Sequence, residues 1–223
     1  MTNRAFESQS TFCLRARAIL VVLYCLTAAS ALLAADYPAP EAGDYVIRDF
    51  RFRSGEVLPE LRMHYCTFGT PRRDAQGIVR NAVLILHGTT GSSGQFLRAE
   101  FAGELFGQGQ PLDARRYFLV LPDNLGHGKS SKPNDVLYAL ESSGDYDPGP
   151  GLERIHARLF AVNFADDLIN PPELGVLERE IKRVKHGKAM VLPLSDRTRG
   201  HGTHTLAAIW KKHLAKLLKQ SER

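Results

Sequence analysis

The sequence has few cysteines, and their positions limit what they can do. The 223 residues contain three of them, Cys13, Cys25 and Cys66. Cys13 and Cys25 belong to an N-terminal segment that we expect to be cleaved off, which leaves Cys66 as the thiol of the mature chain. One cysteine cannot form a disulfide within its own chain, so a disulfide-stabilised scaffold is excluded.

A strong excess of charge of either sign is also lacking. The chain has 29 Lys and Arg against 24 Asp and Glu, for a formal net charge of +5. Lys211, Lys212, Lys216 and Lys219 have the spacing of the solvated face of an amphipathic helix near the end of the chain. We therefore expect no nucleic acid among the partners of this protein.

Long apolar runs are absent except for one, "AILVVLYCLTAASALLAA", at residues 18–35. Arg15 and Arg17 precede it, and small residues end it, which is the layout of a signal peptide cleaved after Ala35. A retained membrane anchor is the alternative, because the run is near the length that spans a bilayer. The favoured interpretation is a signal peptide over 1–35, one domain over 36–223, a periplasmic or secreted location, and no membrane contact after cleavage.

The segment "LPDNLGHGKSSKP" contains part of a phosphate-binding loop but lacks its first glycine. Gly128, Lys129 and Ser130 match the end of G-x-x-x-x-G-K-[ST], and the early glycine would stand at position 123. The residue there is Asp123, whose carboxylate repels phosphate. A nucleotide site is therefore disfavoured.

The chain contains alternating strand and helix patterns. Residues 46–52 and 61–65 show the alternation of a hairpin around Ser54 and Gly55. Apolar runs predict four further strands, at 82–86, 117–121, 159–164 and 188–194, and apolar spacing predicts helices at 95–106, 170–187 and 206–217. This order predicts an α/β sandwich with a mainly parallel sheet, in which ligands bind at the carboxyl ends of the strands.

Two of these strand ends carry an acid and a histidine. Asp166 and Asp167 follow the strand at 159–164, and His201 follows the last strand. An acid followed by a histidine is the second half of a Ser, Asp, His triad in one of its known chain orders. Asp166 and Asp167 also fit a solvated turn, while His201 and His204 also fit a metal pair, although no third ligand is indicated and we assign no metal.

The sequence resembles the α/β-hydrolase superfamily and, within it, the homoserine O-acetyltransferase-like branch. The resemblance covers most of residues 44–218, with a break around 133–146. It is carried by "YVIRDFRFRSGEVLPELRMHYCTFGTP", "LILHGTTGSSGQF", "PDNLGHGKSSKP", "ADDLINPPE" and "GHGTHT". It implies an α/β-hydrolase-like sandwich, serine acyl transfer or ester hydrolysis on a small-molecule ester or acyl substrate, and no cofactor. A homodimer is among the expected assemblies.

The resemblance assigns roles to three residues. Asp167 matches the acid of the triad and His201 matches its general base, with His204 as the alternate base. Thr89, in the "HGT" that ends the strand at 82–86, matches the position that supplies one oxyanion-hole N–H.

The nucleophile that such a triad needs is missing. Only Ser93 and Ser130 have a glycine two residues before them, and neither has one two residues after, so G-x-S-x-G is absent and we assign no nucleophile. The interval 132–158 is also shorter than the ~30 residues of one strand, helix and strand crossover. We interpret this as an internal deletion near 133–136 that removes the central nucleophile strand and the cap. The alternative function is a non-catalytic truncated remnant or a binding protein.

Overall fold

A computed structural model describes residues 37–52, 54–89, 91–130, 144 and 146–221. The predicted signal peptide and the predicted deletion junction at 133–136 lie outside these residues. Asp36–Arg223 forms one compact unit. Within the described ranges, no helix combines the length and the apolar composition that a membrane span requires.

The predicted hairpin is confirmed. Strands β1 (Glu41–Arg51) and β2 (Val57–Phe68) pair antiparallel, and the turn between them closes with a bond of 3.0 Å from the Gly55 N–H to the Phe52 carbonyl. Asp49 adopts φ 51° opposite Pro59, where the register passes from Arg48 with Glu60 to Phe50 with Leu58. Because Pro59 has no N–H to donate, no hydrogen bond from that residue is lost where Asp49 departs from strand geometry.

The four later strands form at the predicted places, and their pairing is mixed. Strand β4 (Phe118–Pro122) pairs antiparallel with β2 and parallel with β3 (Ala82–Leu84), which gives the order β1-β2-β4-β3. Strands β5 (Leu159–Phe164) and β6 (Gly187–Leu192) form a separate parallel pair. The predicted α/β fold class is confirmed, with the described part of the sheet divided in two.

Strand β3 lies at the edge of the four-stranded sheet although its sequence suits an interior position. Leu84 and Leu86 are 61% and 59% exposed, while Val83 and Ile85 point to the half-buried side. A strand that is apolar on both faces belongs in the middle of a parallel sheet, with layers on either side. Among the described residues, no further strand covers this side of β3.

The helices are shorter than predicted, except at the end of the chain. Three α-helices are present among the described residues: α1 (Ala102–Leu105), α2 (Val176–Glu180) and α3 (Ala207–Ser221). Short 3-10 turns accompany them at Ser93–Leu97, Gly128–Ser130, Gly149–Arg154, Pro172–Leu174, Ile181–Arg183 and Gly202–Thr205.

Two helix predictions were therefore wrong in extent. The helix predicted at 95–106 is interrupted because Arg98 is extended, with ψ 153°. The helix predicted at 170–187 is interrupted at Gly175, which has the left-handed φ of 61° that favours glycine, and Gly187 begins β6. Apolar residues recur at helical spacing across both breaks, so periodicity alone did not reveal them.

The core lies between the four-stranded sheet and the helices. Its largest buried members come from β2, β4 and the segment 96–106, and they are Phe68, Phe96, Phe101, Leu105, Phe106, Leu119 and Leu121. Helix α3 packs on this core through Ala207 and Trp210, with the Trp210 ring 5.8 Å from that of Phe101. The Ala207 N–H also binds the Glu100 carbonyl at 3.0 Å. Because α3 follows the His201 loop in the chain, these contacts anchor that loop.

We expect Leu121→Ala to lower the free energy of unfolding by about 2–5 kcal/mol, because Leu121 is fully buried and its truncation leaves a cavity. The matched control is Leu194→Ala, at a leucine that is 70% exposed, which we expect to change stability by less than about 0.5 kcal/mol. Denaturant unfolding measures both. Equal effects of the two variants would contradict this placement of the core.

Candidate active site

Asp167 and His201 are in direct contact. Asp167 lies three residues after the end of β5, and its Oδ2 is 2.9 Å from Nδ1 of His201. Its other oxygen, Oδ1, accepts the backbone N–H groups of Ile169 and Asn170 at 2.8 and 2.9 Å. The Asp167 side chain is only 3% exposed, so it does not lie on a solvated turn.

The surroundings of Asp167 keep its carboxyl group ionised. Burial by itself raises the pKa of Asp167, but the hydrogen bonds from Asn170, His201 and Ile169 together outweigh burial and hold the pKa below its ordinary value. A carboxylate at neutral pH accepts the Nδ1 proton of His201 and leaves Nε2 as the basic nitrogen of that ring. This is the protonation pattern that a general base requires.

Asp166 positions the loop that carries His201. Its Oδ2 accepts the Gly200 N–H at 2.8 Å, and Gly200 has φ 54°. A side chain at position 200 would approach the Asp166 carbonyl at 3.0 Å, so the loop needs glycine for both its conformation and its closeness. Asp167 therefore binds His201, and Asp166 binds the backbone beside His201.

His204 bonds to the backbone of His201. Its Nδ1 lies 2.6 Å from the His201 carbonyl, and the two imidazole rings are 5.2 Å apart. His201, rather than His204, thus holds the contact with Asp167. In the part of the chain that the structure describes, no group of three or more His, Cys, Asp or Glu side chains is arranged to hold a metal ion.

A cavity of about 1020 Å³ opens beside His201. Asp167, His201 and His204 contribute to its lining. Arg183, also in the lining, binds the side chains of Glu153 and Glu180 and the Gly149 carbonyl. Apolar side chains and prolines supply most of the remaining described lining, namely Pro148, Pro150, Leu152, Val162, Phe164, Ile169, Pro171, Pro172, Leu174, Val176 and Leu177. None of the described lining residues is a serine, threonine or cysteine.

Asp123 organises the glycine-rich loop that partly matches a phosphate-binding motif. It is 2% exposed, and its two oxygens accept the backbone N–H groups of Ser93 and Lys129, each at 2.7 Å. Gly128, with φ 55°, leaves no room for a side chain against this carboxylate. Burial by itself raises the pKa of Asp123. The hydrogen bonds from Ser93 and Lys129 and the electrostatic effect of His64 outweigh burial and hold the pKa below its ordinary value. The loop is thus built around an internal anion.

The two serines that follow a glycine at the required spacing have structural roles. The Ser130 hydroxyl accepts the His64 N–H at 2.6 Å and donates to the Asp123 carbonyl at 3.2 Å. Ser93 is equally buried and binds Asp123. Neither hydroxyl is presented at an exposed strand-to-helix turn, as a nucleophile requires.

Thr89 is not brought into the cavity beside His201. The described residues that line the cavity all fall within 147–204, while Thr89 is exposed five residues after the end of β3. The neighbouring His87 ties that strand end to the next loop, because its Nε2 accepts the Asn124 N–H at 2.9 Å. The "HGT" segment is therefore well anchored but lies apart from the acid and the base.

Sequence reasoning missed two polar residues that shape the site. Asn163 is buried within β5 and donates through its side chain to the Asn170 carbonyl at 2.8 Å, which holds the turn that presents Asp167. The Asp166 bond to Gly200 was also unforeseen. An asparagine inside an apolar strand and a doubled aspartate were the available signals, but neither identifies its partner without the fold.

No family model matches this chain. Among curated proteins, it is 30% identical over 93 residues to a "Probable acyltransferase" of Methanothermobacter thermautotrophicus, which covers 42% of this chain and 28% of the relative. It is 38% identical over 87 residues to a "Homoserine O-acetyltransferase" of Leifsonia xyli, covering 34% and 20%. A "Homoserine O-acetyltransferase" of Geotalea daltonii is 31% identical over 143 residues, covering 61% and 35%. The chain thus spans about a third or less of the length of these relatives.

Two solved structures share the fold over most of this chain. One is an acetylester hydrolase from Corynebacterium glutamicum, with a TM-score of 0.60, 10% identity, and coverage of 80% of this chain and 96% of that one. The other is a homoserine O-acetyltransferase from Staphylococcus aureus, with a TM-score of 0.56, 12% identity, and coverage of 81% and 95%. At these identities, the similarity concerns the fold.

We expect Asp123→Asn to lower the free energy of unfolding at neutral pH by about 1–3 kcal/mol, because two buried N–H groups lose a charged acceptor. The pKa of Asp123 is lower in the folded state, so its stabilisation is present above its ordinary value of 3.8 and is lost as pH falls through the folded value. Stability of the variant should therefore fall less than that of the original chain as the pH drops below 3.8.

Denaturant unfolding at a series of pH values measures this difference, and Asp196→Asn, at an exposed aspartate, is the control. An acid dependence of Asp123→Asn that matches that of the original chain would show that Asp123 does not contribute as described.

Proposed function

We propose that this chain, which belongs to the α/β-hydrolase superfamily in its homoserine O-acetyltransferase-like branch, retains the acid and base of a serine acyl-transfer site. The observation that carries the proposal is the 2.9 Å contact between the buried carboxylate of Asp167 and Nδ1 of His201. The two residues follow β5 and β6 in the order that the triad of this fold uses.

In the proposed mechanism, Nε2 of His201 removes the proton from an attacking hydroxyl group as its oxygen bonds to the acyl carbon. The ring then carries a positive charge, which the ionised Asp167 stabilises through the Nδ1–H bond. When the tetrahedral intermediate collapses, the bond to the leaving oxygen breaks and His201 returns the proton to it. The resemblance assigns an oxyanion-hole N–H to Thr89, but Thr89 does not line the cavity beside His201, so the intermediate has no donor from this residue in the described arrangement.

The proposed substrate is a small-molecule ester or acyl compound. The names of the relatives support acyl-group chemistry, and the cavity beside His201 supports an apolar substrate portion, because prolines and aliphatic side chains dominate its described lining. A pocket of this volume falls in the range that binds small organic molecules.

We further propose that acyl transfer is impaired in this chain because the nucleophile has been lost. G-x-S-x-G does not occur in the sequence, and the described cavity wall offers no hydroxyl or thiol. Ser93 and Ser130 are committed to the Asp123 loop. The alternative, a remnant that only binds, differs in predicting that His201 has no chemical effect at all.

We expect a serine-directed fluorophosphonate to leave the intact mass of the folded protein unchanged, because no serine is activated. With an activated aryl acetate and water as the nucleophile, His201→Ala should lower the hydrolysis rate at least about tenfold, since His201 acts as the base. His156→Ala, at an exposed histidine remote in the chain, is the control for both measurements.

The two outcomes separate the hypotheses. A stoichiometric adduct that is lost in His201→Ala and kept in His156→Ala would overturn the loss of the nucleophile. Equal hydrolysis by His201→Ala and the original chain would overturn the general base and leave the binding remnant.

A homodimer is also part of the proposal. In the described part of the chain, β3 is an edge strand, and Leu84 and, two residues beyond the strand, Leu86 are exposed there, so a second copy of the chain can cover this edge. We expect light scattering to measure twice the mass of the chain, and Leu84→Glu with Leu86→Glu to restore the monomer. Leu194→Glu, at a leucine that is 70% exposed elsewhere, should leave the dimer intact. A monomeric original chain would contradict this assembly.

A further inference from the structure

A second cavity, of about 420 Å³, lies at the amino ends of β5 and β6, while Asp167 and His201 follow their carboxyl ends. It opens at Leu159 and Gly187, the first residues of the two strands, and at the last turns of α3. We call it the basic pocket. Its described lining consists of Arg158, Leu159, Phe160, Ile181, Lys182, His186, Gly187, Lys188, Ala189, Met190, His213, Lys216, Leu217 and Gln220.

The charge of the basic pocket has one sign. Four permanent cations contribute to its described lining, together with two histidines and no aspartate or glutamate, and the cations are Arg158, Lys182, Lys188 and Lys216. None of these four forms an ion pair with an acidic residue in the described part of the chain. By contrast, Lys211, which lies on α3 like Lys216, is paired with Glu104. Unpaired cations around one concavity attract an anion.

The floor of the basic pocket is apolar and contains an imidazole with an unused nitrogen. The His213 and Phe160 rings lie 5.8 Å apart at 44°, with Leu217 and Met190 half-buried in the same lining. Nε2 of His213 is buried and has no hydrogen-bond partner among the described atoms. A buried polar atom without a partner is costly, and a ligand atom placed there removes that cost.

The electrostatic state of His213 agrees with an anion site. Burial, and then the charges of Lys212 and Lys216, lower the pKa of His213 below its ordinary value. The imidazole is therefore neutral at physiological pH and lies in a positive field. An anion bound beside it would oppose that field and favour the protonated ring, so binding should raise the pKa of His213.

We propose that the basic pocket binds a small organic phosphate, with the phosphate group among Lys188, Lys216 and Arg158 and the organic part against Phe160. A phosphate dianion matches the several cations better than a single carboxylate does, because each oxygen can accept from a separate cation. The floor takes an apolar or aromatic group, and the volume suits a small molecule. Nothing in the proposed acyl chemistry uses this pocket.

Calorimetric titration with phenyl phosphate tests the proposal, at about pH 7.5 and about 0.15 M salt, where a phosphate monoester is mostly dianionic and exposed charges are screened. We expect saturable one-to-one binding, stronger than that of inorganic phosphate. Lys216→Gln should weaken it roughly tenfold, because one charge-assisted hydrogen bond is lost. Lys219→Gln removes the same charge from the same helix outside the described lining, and should leave binding unchanged.

The His213 ring supplies an independent readout by NMR. The resonances of the His213 ring should move during the titration, and the pKa of His213 should rise in the bound protein. The resonances of His64, which lies on β2, should not move. Equal weakening by Lys216→Gln and Lys219→Gln would mean non-specific attraction to a basic surface. Binding of benzyl alcohol as tight as that of phenyl phosphate would mean an apolar site only. Either result, or the absence of saturable binding, overturns the proposal.

Discussion

Buried aspartates that collect backbone N–H groups hold the loops of this protein in place. Asp113, Asp123 and Asp167 are each 2–3% exposed, and each accepts at least two hydrogen bonds from backbone nitrogens of nearby loops. A buried carboxylate is tolerated only when such donors surround it. The same donors fix the chain, so satisfying the charge and shaping the loop are one event. The contact between Asp167 and His201 depends on this arrangement.

The divided sheet is the second constraint on the molecule. Among the described residues, the four-stranded part ends at the apolar edge of β3, and the pair β5 and β6 stands apart from it. Helix α3 joins the two parts because it packs on the main core while the His201 loop precedes it. The acid and the base both follow strands of the β5 and β6 pair, outside the four-stranded part. Thr89 follows β3 in the four-stranded part, and it does not line the cavity beside His201.

The strand pair β5 and β6 presents different chemistry at its two ends. The carboxyl ends lead to a carboxylate, two histidines and a cavity lined by proline and aliphatic side chains. The amino ends, together with α3, form a pocket with several cations and no acid among its described residues. Parallel strands have their carboxyl ends on the same side of the sheet. Residues near the starts of β5 and β6 therefore lie about one strand length from the acid and the base. The proposed acyl-transfer site and the proposed phosphate site therefore lie at opposite ends of the same strand pair.

The sequence alone determined the α/β order, the hairpin, the strand positions and the pairing partners Asp167 and His201, since these depend on local apolar periodicity and on motif order. It also determined that G-x-S-x-G is absent, because that motif is local. Only the tertiary structure decided the breaks in the helices at Arg98 and Gly175, the separation of Thr89 from His201, and the basic pocket. Those features depend on which distant segments of the chain come into contact. The side chains of Arg158, Lys182, Lys188 and Lys216 line one pocket only because β5, β6 and α3 pack together.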